Sequence, residues 1–162
     1  MSFSQPLLYF YFDFNDEAKQ TLERMVRSLI IQLVYKVEDT WKQLDSLFSS
    51  HENGNRQATR ESLCKLFLNM IEHVKEVWIV LDALDECRLL KEGLLSWMKD
   101  PKSEQRNVHL LITSRPEQDI KYEVSKWAND NDIVPIHSDL ITNDIRAYIR
   151  ARVREGNGLK RW

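Results

Sequence analysis

Glycine is scarce in this chain: four residues in 162, at Gly54, Gly93, Gly156 and Gly158. A loop that cradles phosphate with backbone N–H groups needs closely spaced glycines ahead of a Lys-Ser/Thr pair. The one clustered pair, in Gly156-Asn157-Gly158-Leu159-Lys160, follows a helical stretch and has the wrong spacing for that task. Cysteine is scarcer still. Cys64 and Cys87 are too few and too far apart for a disulfide framework or a thiolate zinc site, so a reducing cytoplasmic setting is expected. The four histidines, His51, His73, His109 and His137, show none of the paired spacings of metal sites. Neither sign of charge dominates: 23 Lys and Arg stand against 25 Asp and Glu, which argues against a general binder of polyanions. No apolar run approaches membrane-spanning length, and Leu7 to Phe12, cut short by Asp13 with no basic residue before it, makes a poor signal peptide. There is no internal repeat.

What is present centres on Val77-Trp78-Ile79-Val80-Leu81-Asp82-Ala83-Leu84-Asp85-Glu86-Cys87. Five consecutive large apolar residues suit a strand buried on both faces of a parallel sheet. Carboxylates just past its carboxyl end lie where open α/β sheets keep their ligands. The pattern reads as an extended Walker B motif, with Asp82 helping to hold Mg²⁺ and Asp85 and Glu86 orienting an attacking water. The competing reading is a buried strand that ends in a solvated acidic turn.

Around this strand the pattern alternates between strand and helix, as an α/β domain requires. Leu7 to Phe12 is an aromatic strand ending at Asp13-Phe14-Asn15-Asp16, with Asp16 and Glu17 suited to a helix start. Ala18, Leu22, Val26, Leu29, Ile30, Leu33 and Val34 then mark one face of a long helix. Val37, Trp41, Leu44 and Phe48 continue at helical spacing, Ser49 to Gln57 is a polar loop, and Thr59 caps a helix striped by Leu63, Leu66, Phe67, Met70, Ile71 and Val74. A helix is expected over Arg88 to Lys99 and a strand over Val108 to Ile112, with Pro116 at the first position of a helix running through Val124 and Trp127. Ile133-Val134-Pro135-Ile136 reads as an edge strand, and Ile141, Ile145, Tyr148, Ile149 and Val153 share a face of a last helix.

The second strand tip, Thr113-Ser114-Arg115-Pro116, is the partner of the first. A neighbouring parallel strand brings Thr113 and Arg115 beside the acidic residues, where a hydroxyl and a guanidinium can sense a terminal phosphate. A plain ion pair between Arg115 and the acidic turn is the competing use of that residue. Cys87 is a poor nucleophile, because Asp85 and Glu86 beside it suppress the thiolate. The basic tail residues Arg146, Arg150, Arg152, Arg154, Lys160 and Arg161 read as a solvated helix face.

Three stretches together resemble the NACHT class of signalling P-loop ATPases, as found in large fungal NOD-like receptor proteins and their nephrocystin-like relatives. They are the early aromatic strand with the helix ending Arg27-Ser28-Leu29-Ile30-Ile31-Gln32-Leu33, the acidic segment Trp78 to Cys87, and Leu111-Ile112-Thr113-Ser114-Arg115-Pro116. The resemblance implies ATP and Mg²⁺ as cofactors, with Asp82 at the metal, Asp85 and Glu86 supporting hydrolysis, and Thr113 and Arg115 at the nucleotide. It also implies a cytoplasmic switch that self-associates beside effector and repeat domains, with no nucleic acid and no membrane span. The chain departs from the family in lacking the phosphate-binding loop and the central strand that carries it. Residues 1–162 are thus expected to be the distal portion of a three-layer, P-loop-type parallel sheet. Such a portion is inactive alone and leaves a gap between the Ile133 to Ile136 strand and the rest. The alternative is a nucleotide-independent interaction or scaffold module.

Overall fold

The computed structural model describes residues 5–37, 40–50, 57–87, 107–126, 128–136 and 138–155. They fall into two compact units, residues 1–127 and 128–162. The first holds a sheet of three strands, β1 (Leu7–Tyr11), β2 (Val77–Asp82) and β3 (Val108–Ile112), in the order β1-β2-β3 with both pairings parallel. Between β1 and β2 run three helices, α1 (Leu22–Lys36), α2 (Trp41–Ser50) and α3 (Arg60–Glu72), and α4 (Gln118–Ser125) follows β3. This is an α/β arrangement consistent with an incomplete three-layer parallel-sheet fold.

Local chemistry sets the helix ends. Thr21 is the N-cap of α1, its hydroxyl accepting from the Arg24 N–H, and Thr59 does the same for α3 through Ser62. Asp16 caps a separate 3-10 turn over Glu17–Lys19, so the long helix starts at Leu22 and not at Ala18 as the periodicity suggested. Pro116 likewise precedes α4 by two residues, because Glu117 takes the cap position. On α1 the buried residues Leu22, Met25, Val26, Leu29, Ile30 and Leu33 recur at three and four, and on α3 Leu63, Leu66, Phe67, Met70 and Ile71 do so. Both stripes join one core with Leu8, Phe10, Val77, Ile79 and Leu81 of the sheet. Burying each such side chain contributes about 1.5–3 kcal/mol, against about 1 kcal/mol for a cap, so the stripes hold the helices on the sheet.

Among the described residues that core lies on one face of the sheet. β1 and β2 alternate strictly, with Leu7, Tyr9, Tyr11 and Trp78 between 45% and 53% exposed, and Leu111 of β3 is 58% exposed. The expectation that β2 is buried on both faces therefore fails at Trp78, whose ring stacks on His109 at a centroid distance of 4.1 Å. An unbroken apolar run could not reveal this, since periodicity is invisible when every residue is apolar.

The two edges of the sheet differ. Along β1 the side chain of Gln32 accepts from the Tyr9 N–H at 3.1 Å and donates to the Tyr9 carbonyl at 2.8 Å, and Lys36 Nζ donates to the Leu7 carbonyl at 2.8 Å. On β3 the ladder to β2 uses Asn107 and Thr113 at its ends, which by alternation turns the backbone groups of Val108, Leu110 and Ile112 outward. Among the described residues nothing pairs with them.

In the second unit, α5 (Ser138–Glu155) is an 18-residue helix on which Ile145, Tyr148, Ile149 and Val153 are about half exposed. Ile133 to Ile136 forms no strand: Val134 and Ile136 are 83% and 77% exposed, and Pro135 removes one ladder donor. The helix expected over Arg88 to Lys99 lies outside the described residues. No described helix is long and apolar enough to cross a membrane.

An uncharged edge beside an exposed aromatic face should drive self-association. Light scattering over a concentration series is expected to find species above monomer mass, and Leu111→Lys should move the distribution toward monomer. A monodisperse monomer at every concentration would show that the sheet needs no further cover.

Candidate functional site

The site grows from the bend that follows β2. β2 ends at Asp82, and the next residue, Ala83, takes a left-handed conformation with φ 55°, a placement that costs a residue with a Cβ about 1–2 kcal/mol. Two hydrogen bonds to one neighbour, Thr113, offset that cost. The Ala83 N–H donates to Thr113 Oγ1 at 3.1 Å, and the Leu84 N–H donates to the Thr113 carbonyl at 3.0 Å. Leu84 is fully buried, so the following 3-10 turn, Leu84–Glu86, is anchored from below.

Each carboxylate then has a distinct partner. Thr113 Oγ1, while accepting from Ala83, donates to Asp82 Oδ1. Asp85 is well enclosed, with a side chain 6% exposed. Its Oδ1 accepts from the Arg115 backbone N–H at 2.9 Å and lies 3.3 Å from Ser114 Oγ, and its Oδ2 stands 3.4 Å from Arg115 Nε. Glu86 reaches the other way, across to β1, where Oε2 accepts from the Phe14 N–H at 3.0 Å. All five residues singled out from the sequence, Asp82, Asp85, Glu86, Thr113 and Arg115, thus meet at the carboxyl ends of adjacent parallel strands. The ion pair between Arg115 and the acidic turn is formed as well. With Arg115 76% exposed it contributes little by itself, and the enclosed hydrogen bonds matter more.

One participant was not legible in the sequence. Gln20 is 1% exposed beneath the tip of β1, and its Nε2 donates to the carbonyls of Asp13 at 3.0 Å and Phe14 at 2.5 Å, fixing the loop whose Phe14 N–H meets Glu86. Its Oε1 is buried with no partner among the described residues. A lone Gln in the polar run Asp16 to Thr21 gives no periodic or motif signal that could have marked it.

Among the described residues no group of three or more His, Cys, Asp or Glu side chains is placed to hold a metal ion. The donors do suit one kind of cation. Asp82 Oδ1 is taken by Thr113, which leaves Oδ2 as a single hard anionic oxygen beside a hydroxyl, and Mg²⁺ commonly takes one or two carboxylates with water and phosphate oxygens for the rest. The thiols are unsuited to chemistry: burial pushes the Cys64 thiol up from its ordinary value, and Cys87 is 4% exposed with Sγ directed at the Gln20 carbonyl.

Two outcomes test this arrangement. Thr113→Val removes a hydroxyl that serves both Ala83 and Asp82, so chemical denaturation should show a loss of about 1–3 kcal/mol with an unchanged m-value. An aromatic disulfide reagent at neutral pH should modify both cysteines slowly in the folded chain and rapidly in denaturant. Fast labelling of Cys87 in the folded state would contradict the packing described.

A family model described as nephrocystin 3, N-terminal, matches residues 2–115, a span that takes in β1 to β3, α1 to α3 and all five of these residues. No curated protein and no solved structure matches the chain. Because the matched span is the greater part of the sequence and ends at Arg115 of the site itself, the chain belongs to the nephrocystin 3 N-terminal family.

Proposed function

We propose that this chain is the distal part of an ATP-binding signalling switch of the NACHT type, which carries the Walker B and sensor side of the nucleotide site. The observation that carries this reading is the meeting of two strand tips: Asp82 at the end of β2 bonds to Thr113, and Asp85 in the turn after β2 bonds to Arg115. In such a site Asp82 Oδ2 would hold Mg²⁺, which supplies charge neutralisation at the phosphates. Asp85 and Glu86 would support hydrolysis, Glu86 through the carboxylate oxygen that Phe14 does not use. Thr113 and Arg115, both exposed, would meet the terminal phosphate. The phosphate grip itself would come from a Gly-rich loop, which these 162 residues do not contain. The switch would act in the cytoplasm, with self-association and adjoining effector and repeat domains as its outputs.

The exposed apolar side chains on one face of the sheet, uncovered among the described residues, favour a second reading, a nucleotide-independent interaction module. Calorimetry and kinetics separate the two. The 162-residue chain is expected to bind ATP-Mg²⁺ weakly or not at all, since carboxylates without a backbone N–H cradle repel a polyphosphate. In a longer protein that supplies the loop, Glu86→Gln should lower kcat by about 10²-fold or more with little change in ATP affinity. Wild-type hydrolysis by that variant, or saturable low-micromolar binding by the 162 residues alone, would refute the assigned roles.

A further inference from the structure

Three carboxylates crowd the acidic turn, and their hydrogen bonding divides them. Asp82 and Glu86 each have one oxygen engaged, Oδ1 with Thr113 and Oε2 with Phe14. Asp85 has Oδ1 hydrogen-bonded to both the Arg115 N–H and Ser114 Oγ and Oδ2 in ion-pair contact with Arg115 Nε, so that among the described residues its contacts fall on Ser114 and Arg115. With its side chain 6% exposed it has little surface left to offer an incoming molecule. A carboxylate that accepts a backbone N–H and stands beside the guanidinium of the same residue fixes both where that residue's backbone turns and where its side chain leaves.

We infer that Asp85 is a positioning residue that acts through Arg115, shaping the Thr113 to Arg115 turn and aiming the guanidinium, while Glu86, like Asp82, keeps a carboxylate oxygen to touch a bound molecule. What Arg115 is aimed at rests on the nucleotide reading above; the anchoring does not.

The 162-residue chain without added nucleotide is the system for the test, so the result stands apart from any outcome with ATP. Amide exchange by NMR should find the Arg115 N–H protected although Arg115 is an exposed residue. In Asp85→Ala that protection should fall at least about tenfold, the scale of one hydrogen bond to a charged acceptor, while the Thr113 N–H, bonded to the Leu81 carbonyl, keeps its rate. Asp85→Asn retains an acceptor oxygen and should restore most of the backbone protection, yet the Arg115 Nε–H resonance should move to the position of a free guanidinium. Glu86→Gln should change neither signal. Unchanged Arg115 exchange in Asp85→Ala, or equal loss at Arg115 and Thr113, would overturn the inference. If Asp85→Ala does not fold, the Nε–H resonance in Asp85→Asn decides: a shift supports the aiming role and an unmoved resonance ends it.

Discussion

Parallel pairing on both sides of β2 is the constraint from which the rest follows. A parallel neighbour cannot be reached by a tight turn, so the chain must travel a dozen residues or more between strands, and between β1 and β2 it does so through α1, α2 and α3. Parallel strands also end at the same level. The polar residues that terminate β1, β2 and β3 therefore gather at one rim, whatever chemistry they serve. Asp82 and Thr113 are far apart in sequence and share a hydrogen bond because the register of β2 on β3 leaves them no other place.

How much of this could be read from the sequence depends on the kind of signal. Helical stripes were legible at α1 and α3 because six and five apolar residues recur among polar ones. That Asp82, Asp85, Glu86, Thr113 and Arg115 come together was legible because an apolar run that stops at a carboxylate or at Thr-Ser-Arg is an abrupt event. Alternation within β2 was hidden, since Trp78 and Val80 are as apolar as Val77, Ile79 and Leu81, and only the packing shows which set is covered. The Ile133 to Ile136 segment misled for a related reason: apolar residues argue for burial, but a strand exists only where a ladder partner is available. Gln20 and Gln32 lie beyond any local rule. Each is one polar residue whose partner is backbone brought close by the fold.

The site shows how a turn made of strained and charged parts can be stable. Ala83 in a left-handed conformation would be costly in isolation, but its N–H and that of Leu84 both end on Thr113, and the same hydroxyl reaches Asp82. Asp85 and Glu86 then reach in opposite directions, one to β3 and the other to the tip of β1. Three strands are thus tied at their ends by side chains as well as along their lengths by the ladder. A molecule that drew Arg115 away from Asp85 would act on that tie and leave the core pairing of Thr113 with Leu81 in place.

The side chains of Gln32 and Lys36 along β1 set a limit on assembly. They occupy the backbone groups through which another strand would add, whereas among the described residues those of β3 remain open. A sheet with two open edges can propagate without end; a sheet with one has a valence of one. Judged from the described residues, strand pairing between copies of this unit would then join β3 to β3, a two-fold contact that closes on itself. Growth of a fibre along the sheet would first require α1 to give up its hold on Tyr9.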